Sequence, residues 1–375
     1  MSDTVYRTGT PAEREEIIDF ANYVFSQAHR PHDFKTLLPK TYADDAPDFS
    51  DWHFLAVRDG RIRALVSCRP TDLYLGGGKL SCGCVGTVSV HPYSRGEGHM
   101  KQLMAMMLED CRQRGYDMIF LGGQRQRYEY FGFESACMIT DYYISAASVR
   151  HALGDADDSG IAFTEITEGM EKELDFAWEL ADRQALHGER PREDFLRIMH
   201  SWNSKLWLVT ADGVPSGYVM GNVSEIALTD EALLPRVIKA MIRDGQNDGV
   251  TIPAATHETE RRKILERIFH SRSLHAGEMV NVLNWKNTLS VLLSFKASYM
   301  RLNDMRAELD IDGEKLTISV NDGVPAVTEG GEGSIRLTHI EAQQLMFGFE
   351  RAILPDERFG NVLPLPIYIN PADTY

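Results

Sequence analysis

The stretch from Val85 to Glu134 constrains this chain more than any other, because it runs an apolar strand, a glycine turn, a helix, a second strand and an aromatic segment in unbroken order. Val85 to Val90 is β-branched and apolar, and Pro92 stops it. Arg95-Gly96-Glu97-Gly98 then opens a helix in which Leu103, Met106, Met107 and Leu108 recur at helical spacing. A helix start therefore faces a strand end. Amides at such a start have no intrahelical acceptor and can bind a pyrophosphate. Gly96 and Gly98 remove the side chains that would keep it away, and Arg95 can add a charge-assisted bond.

At this point the sequence resembles the GCN5-related N-acetyltransferases (GNAT), whose signature is Arg or Gln, two residues, Gly, one residue, then Gly or Ala. Arg95 and Gly98 match, and Met100 stands where the last small residue is usual. Bulky apolar residues after the Gly are similar to the Eis-type branch, the enhanced intracellular survival acetyltransferases. Tyr128-Glu129-Tyr130-Phe131-Gly132-Phe133 resembles the family's Tyr-x-x-Phe-Gly-aromatic segment. The resemblance is specific over Val85 to Glu134 and diffuse elsewhere.

The chain has 375 residues, 43% of them hydrophobic, enough for two or three cores. Thr10-Pro11 and the apolar face Ile17, Ile18, Phe20, Ala21, Val24, Phe25 predict a first helix. Phe54 to Val57 and Ile62 to Ser67 flank Asp59-Gly60 as a hairpin. Asp72 to Leu75 pairs with Leu80 to Val90 around three glycines, Tyr116 to Gly122 is a strand, and Tyr128 to Phe133 begins the last pair. This unit is expected over residues 1–148. Trp207 to Val219 then echoes Phe54 to Ser67 at an offset of about 153 residues, set by Asp212-Gly213 against Asp59-Gly60. The same element order follows: Ile226, a helix over Leu233 to Ile242, a strand Val250 to Ala255 and a helix over Arg261 to Phe269. Asp230-Glu231 stands near that helix start, where carboxylates repel a pyrophosphate. Residues 149–276 thus read as a degenerate copy without its own cofactor site.

Beyond Met279 the pattern changes to a strand, a helix, the pair Met305 to Ile311 with Lys315 to Val320, and a helix that Thr338 and Glu341 open with a capping box. Residues 277–375 are similar to the sterol-carrier-type domain that closes Eis-type chains. The expected fold class is α/β (α+β), with tandem GNAT folds built on mixed central sheets and an α+β C-terminal domain. Packing on the other domains is the plainer role for that last unit, and lipid binding the other.

The formal net charge of −16 disfavours nucleic acid and anionic membranes and would concentrate cationic amines. Coenzyme A, an anion, would then rely on the helix start and on Arg95, Lys101, Arg125 and Arg127. Five cysteines without an even framework fit a reducing cytoplasm. The N-terminal residues lack a signal pattern, and no apolar run approaches the roughly 20 residues that span a bilayer. Cys82-Gly83-Cys84 reads as buried strand cysteines, the histidines form no H-E-x-x-H set, and no metal is implied.

The resemblance implies an acetyl-CoA-dependent N-acetyltransferase acting on a primary amine, small molecule or peptide, such as an aminoglycoside, a polyamine or lysine. It implies that the backbone of Val88, Ser89 and Val90 holds the pantetheine and that Gly96, Glu97, Gly98, His99, Met100 and Lys101, with Arg95, take the pyrophosphate. Gly123 and Gln124 would line the other side of the cofactor. Tyr128 would protonate the departing thiolate, and a phenol near its free pKa of about 10 stays protonated at neutral pH. In the Eis-type branch the terminal carboxylate accepts the amine's proton, which points to Tyr375. His91, Glu129 or a bound water are the other acceptors. The same resemblance suggests a homo-oligomeric ring. The rival expectation is a non-catalytic acyl-CoA or lipid-binding module.

Overall fold

Alternating apolar residues in the strand Met118–Leu121 face two different cores, and this sets the layering of the first half of the molecule. Met118 and Phe120 pack with Trp285, Leu289 and Leu292 of the helix Trp285–Tyr299, while Ile119 and Leu121 pack with Leu103, Met104 and Met107 of the helix His99–Gln113. The structure, a computed structural model, describes residues 3–27, 30–154, 158–244, 248–348 and 357–375. The fold is mixed α/β, with five sheets among the described residues.

The largest sheet has seven strands in the order Val5–Thr8, His53–Arg58, Arg61–Pro70, Cys82–Val90, Met118–Leu121, Met279–Val282, Glu134–Ser135. Every adjacent pair is antiparallel except Cys82–Val90 with Met118–Leu121. The echo hairpin exists as Leu206–Ala211 with Val214–Met220, in a four-stranded antiparallel sheet with Ile161–Glu165 and Glu225–Leu228. Asp230 caps the following helical segment, its carboxylate accepting from the Ala232 amide at 2.9 Å. A carboxylate therefore occupies that helix start. The last sheet joins Met305–Ile311, Glu314–Asn321, Val324–Glu329 and Ile335–Leu337, and the capping box at Thr338 and Glu341 forms.

Two sequence expectations need correction. The boundaries at 148 and 276 do not separate the sheets, because strands cross them. Met138–Ser145 leaves the first unit to stand between Gly249–Ala255 and Ser271–Ala276. In return Met279–Val282 inserts between Met118–Leu121 and Glu134–Ser135. Strand edges left open by one unit are closed by another, which satisfies backbone groups that would otherwise be buried unpaired. Tyr128 to Phe133 is not a strand either. Arg125–Tyr128 and Glu129–Phe131 form helical turns. Arg125 fixes them through Glu129 at 2.7 Å, one turn on, and through the buried Glu134 at 2.6 Å.

The segment before Tyr375 is held in a buried ionic seam between the first two units. Arg190 donates to Asp373 at 2.7 and 3.0 Å and to Glu225 at 2.8 and 2.9 Å. Asp373 also accepts from the Gly188 amide at 3.0 Å, and Tyr218 donates to Glu225. Burial alone would raise the Asp373 pKa, but the Arg190 guanidinium overrides it and holds the carboxyl below its ordinary value. Lys40 donates to the carbonyls of Ala372, at 2.9 Å, and Thr374, while Arg69 donates to that of Asp373 at 2.9 Å. Breaking a buried pair by removing one charge leaves the other uncompensated. Asp373→Asn is expected to lower stability by about 3 kcal/mol, read from the urea unfolding midpoint.

Candidate active site

Cys82–Val90 and Met118–Leu121 pair in parallel from Cys82 with Met118 to Cys84 with Phe120, and their register goes no further. On its other side, the strand slips register against Arg61–Pro70 between Leu65 and Ser67, a bulge opposite Gly86 to Ser89. Thr87 at this bulge has φ +45°, a costly conformation for a β-branched residue. A buried hydrogen-bond chain holds it. Ser67 donates to the Gly86 carbonyl at 2.8 Å and its Oγ also lies 2.8 Å from Thr87 Oγ1. Thr87 Oγ1 lies 3.2 Å from Tyr42 Oη, and Tyr42 Oη 2.9 Å from His53 Nε2. His53 Nδ1 is 2.8 Å from the Phe49 carbonyl, so it must carry the proton, and Nε2 then accepts from Tyr42. With the Ser67 proton on the Gly86 carbonyl, the single Thr87 proton goes to Ser67 Oγ, the nearer of its two neighbours, and the 3.2 Å approach to Tyr42 carries no proton of its own.

Where the two strands part, a cleft of about 450 Å³ opens between Val85 to Val88 on one wall and Leu121 to Gln124 on the other. The helix His99–Gln113 begins beside the strand end, after Gly96 and Gly98 at φ +84° and +81°. Only glycine adopts these angles without strain. The first helical bond runs from Gln102 to the Gly98 carbonyl, so the preceding amides remain available to an anion. Arg95 and Lys101 are exposed beside them. Glu97 turns away to Arg58 at 2.6 Å, and His99 is buried with Nδ1 on Tyr6 Oη at 2.8 Å. Both can therefore offer only their backbone here. Met100 packs partly against the core.

Of the strand residues expected at the cofactor, Val88 lines the cleft. Ser89 is buried and donates to the Thr87 carbonyl at 2.8 Å, and Val90 pairs with Ala64. Gly123, Gln124, Tyr128 and Tyr375 all line the cleft. The Tyr128 ring rests on Gly123, where a Cβ would come within 2.8 Å of Cε2, and meets Phe133 edge-on at 6.3 Å. Burial pushes the Tyr128 phenol pKa up, with Arg127 opposing, so the group holds its proton at neutral pH. The Tyr375 ring lies on Gly86, where a Cβ would collide with its Cγ, and its backbone oxygen accepts from the Trp202 indole at 2.9 Å.

The other expected groups are occupied or elsewhere. Arg125 is paired with Glu129 and Glu134, which removes it from the basic cluster and Glu129 from the acceptors. His91 stacks on Tyr23 at 5.5 Å, apart from the residues that line the cleft. The sequence reading missed Trp202 and Glu278, both in the cleft wall, and the chain from Ser67 to His53. Gly86 within an apolar strand was the available signal for the bulge.

Burial lowers the His53 pKa to about 4, so the folded protein keeps this imidazole neutral. An unfolded histidine titrates near 6.5. Between those values the unfolded chain binds a proton that the folded one does not, so stability falls as pH drops from about 6.5 to about 4. His53→Phe is expected to flatten that part of the stability profile, followed by thermal melts against pH. It also costs about 1–3 kcal/mol by leaving Tyr42 without its acceptor.

Residues 5–136 match the family model described as an acetyltransferase (GNAT) domain. No curated protein matches the chain by sequence. Among solved structures, the fold is similar to a GCN5-related N-acetyltransferase from Kribbella flavida at 15% identity and a TM-score of 0.69, covering 100% of this chain and 99% of that one. It is also similar to a probable N-acyltransferase of unknown function from Enterococcus faecalis, at 15% identity and TM-score 0.67, covering 93% and 91% of the two chains. Eis1 from Mycobacterium abscessus aligns at 15% identity and TM-score 0.64, covering 93% and 90%. At these identities the likeness establishes the fold alone. The family match and the divergent parallel pair agree that residues 5–136 are similar in sequence and fold to GNAT acetyltransferase domains.

Proposed function

We propose that the chain transfers an acetyl group from acetyl-CoA to a primary amine by direct attack in a ternary complex. The observation that carries this reading is the parting of the parallel pair beyond Cys84 and Phe120, which opens a cleft beside an unencumbered helix start. A pantetheine arm fits between the strands, with Val88 on one side and Gly123 and Gln124 on the other. The pyrophosphate then meets the amides from Gly96 to Lys101, with Arg95 and Lys101 near it. Holding thioester and amine together supplies much of the rate, and backbone amides freed at the bulge are suited to the developing oxyanion.

Tyr128 donates its proton to the leaving sulfur in this scheme. The Tyr375 carboxylate takes a proton from nitrogen as the carbon–nitrogen bond forms. The acceptor is a cationic amine, drawn by the acidic net charge, with aminoglycosides, polyamines and lysine side chains as the classes to test. The C-terminal unit, sterol-carrier-like in its element order, serves mainly to pack, since its helix Trp285–Tyr299 shares a core with the first sheet.

Thiol release from acetyl-CoA with a panel of such amines tests the reading. Tyr128→Phe is expected to lower kcat by about 10²-fold or more with acetyl-CoA affinity retained. Extending the chain by one glycine after Tyr375 displaces the carboxylate and is expected to lower kcat by about 10²-fold. Acetyl-CoA binding without thiol release for any amine would replace this reading with a non-catalytic acyl-CoA-binding module.

A further inference from the structure

Glu278 is a carboxylate in the cleft wall that no sequence motif pointed to. It precedes the inserted strand Met279–Val282, and the insertion carries it to the end of Met118–Leu121, where the cleft begins. Its side chain stands over Gly122, where a Cβ would lie 3.0 Å from Oε2 and 3.5 Å from Oε1. The next residue, Gly123, holds the Tyr128 ring in the same manner. Two successive glycines thus leave room for a carboxyl and a phenol lining one cavity.

Glu278 Oε2 is buried and has no hydrogen-bond partner. A buried carboxylate oxygen left bare is costly, and native structures retain one where a ligand or a proton completes it. The titratable and charged groups around Glu278 are the Cys84 and Cys137 thiols, with Tyr128, Arg127 and Tyr375 in the cleft. Burial pushes the pKa of both thiols well up, so they stay neutral and give no countercharge. Burial raises the Glu278 pKa as well, which makes its carboxylate a stronger proton acceptor than an exposed one. The Tyr375 backbone oxygen already accepts from the Trp202 indole, a partner of the kind that Glu278 Oε2 lacks.

Resting on the transfer reaction above, we propose that Glu278 takes the first proton from the acceptor, converting its ammonium to the free amine before attack. Transfer needs nitrogen to lose two protons, and the cleft holds one acceptor for each. The ammonium gives one proton to Glu278, and the free amine attacks the thioester carbon. As the carbon–nitrogen bond forms, nitrogen gives its second proton to the Tyr375 carboxylate. The carbon–sulfur bond then breaks with its electron pair on sulfur, which takes the Tyr128 proton. The proton on Tyr375 returns to the tyrosinate, and Glu278 releases its own to water. Amide, free thiol and one proton are the products.

The test compares two acceptors at pH 7, an alkylamine that is almost wholly protonated and a hydrazide that is not. Glu278→Gln is expected to lower kcat/KM for the alkylamine by about 10²-fold, to recover as pH is raised, and to leave the hydrazide rate within about a few-fold of wild type. Equal loss with both acceptors, or no loss with either, overturns the proposal. Acetyl-CoA binding by calorimetry shows that the variant folds; should it not, Glu278→Asp, which keeps the carboxylate, must recover alkylamine turnover, and failure to do so also overturns it. Failure of the transfer reading itself looks different, since wild type would then release no thiol with either acceptor.

Discussion

Two parallel strands that pair at one end and part at the other are the constraint on which the site depends. A continuous ladder from Cys82–Val90 to Met118–Leu121 would fill the space with hydrogen bonds and leave no cleft. The parting leaves backbone groups facing a cavity, and such an arrangement persists only if something else fixes the strand. Here it is the buried chain of polar contacts from Ser67 through Thr87 and Tyr42 to His53. The strained Thr87 is therefore a consequence of the cleft, and the polar network beneath it is the support that strain requires.

The cleft is completed from distant parts of the chain. Trp202 comes from the second unit, Glu278 from the strand that crosses back into the first sheet, and Tyr375 from a terminal segment fixed by Asp373 on Arg190. Strand exchange and the buried ionic seam act together. The first brings a carboxylate to the end of the parallel pair, and the second holds an aromatic ring over Gly86. Neither would survive division of the chain into independent domains at residues 148 and 276, because the hydrogen bonds that hold these groups run across both points.

Most of the local structure was legible in the residues. The hairpins at Asp59-Gly60 and Asp212-Gly213, the helix after Gly98, and the capping box at Thr338 all formed, because each depends on contacts within a few residues. The segment from Tyr128 to Phe133 misled for a related reason. Its aromatic content suits a strand, but Arg125 binds Glu129 one turn on and Glu134 beyond it, and this local ion pairing sets helical turns. The basic cluster misled because like residue types near one another in sequence were taken as a shared patch, while Arg125 had carboxylate partners close by.

The sequence by itself determined the strand, glycine turn and helix that could hold an anion, the second hairpin at Asp212-Gly213, and the carboxylate at the helix start that follows it. These follow from periodicity, from glycine's access to positive φ and from the sign of charge at a helix start. Only the tertiary structure decided which strands exchange, where the parallel pair parts, and that Glu278, Trp202 and Tyr375 share a wall with Tyr128. The physical reason is that strand pairing joins residues far apart in the chain through backbone groups common to every residue. A carboxylate at position 278 looks like any other until the inserted strand brings it to the cleft that Tyr128 lines.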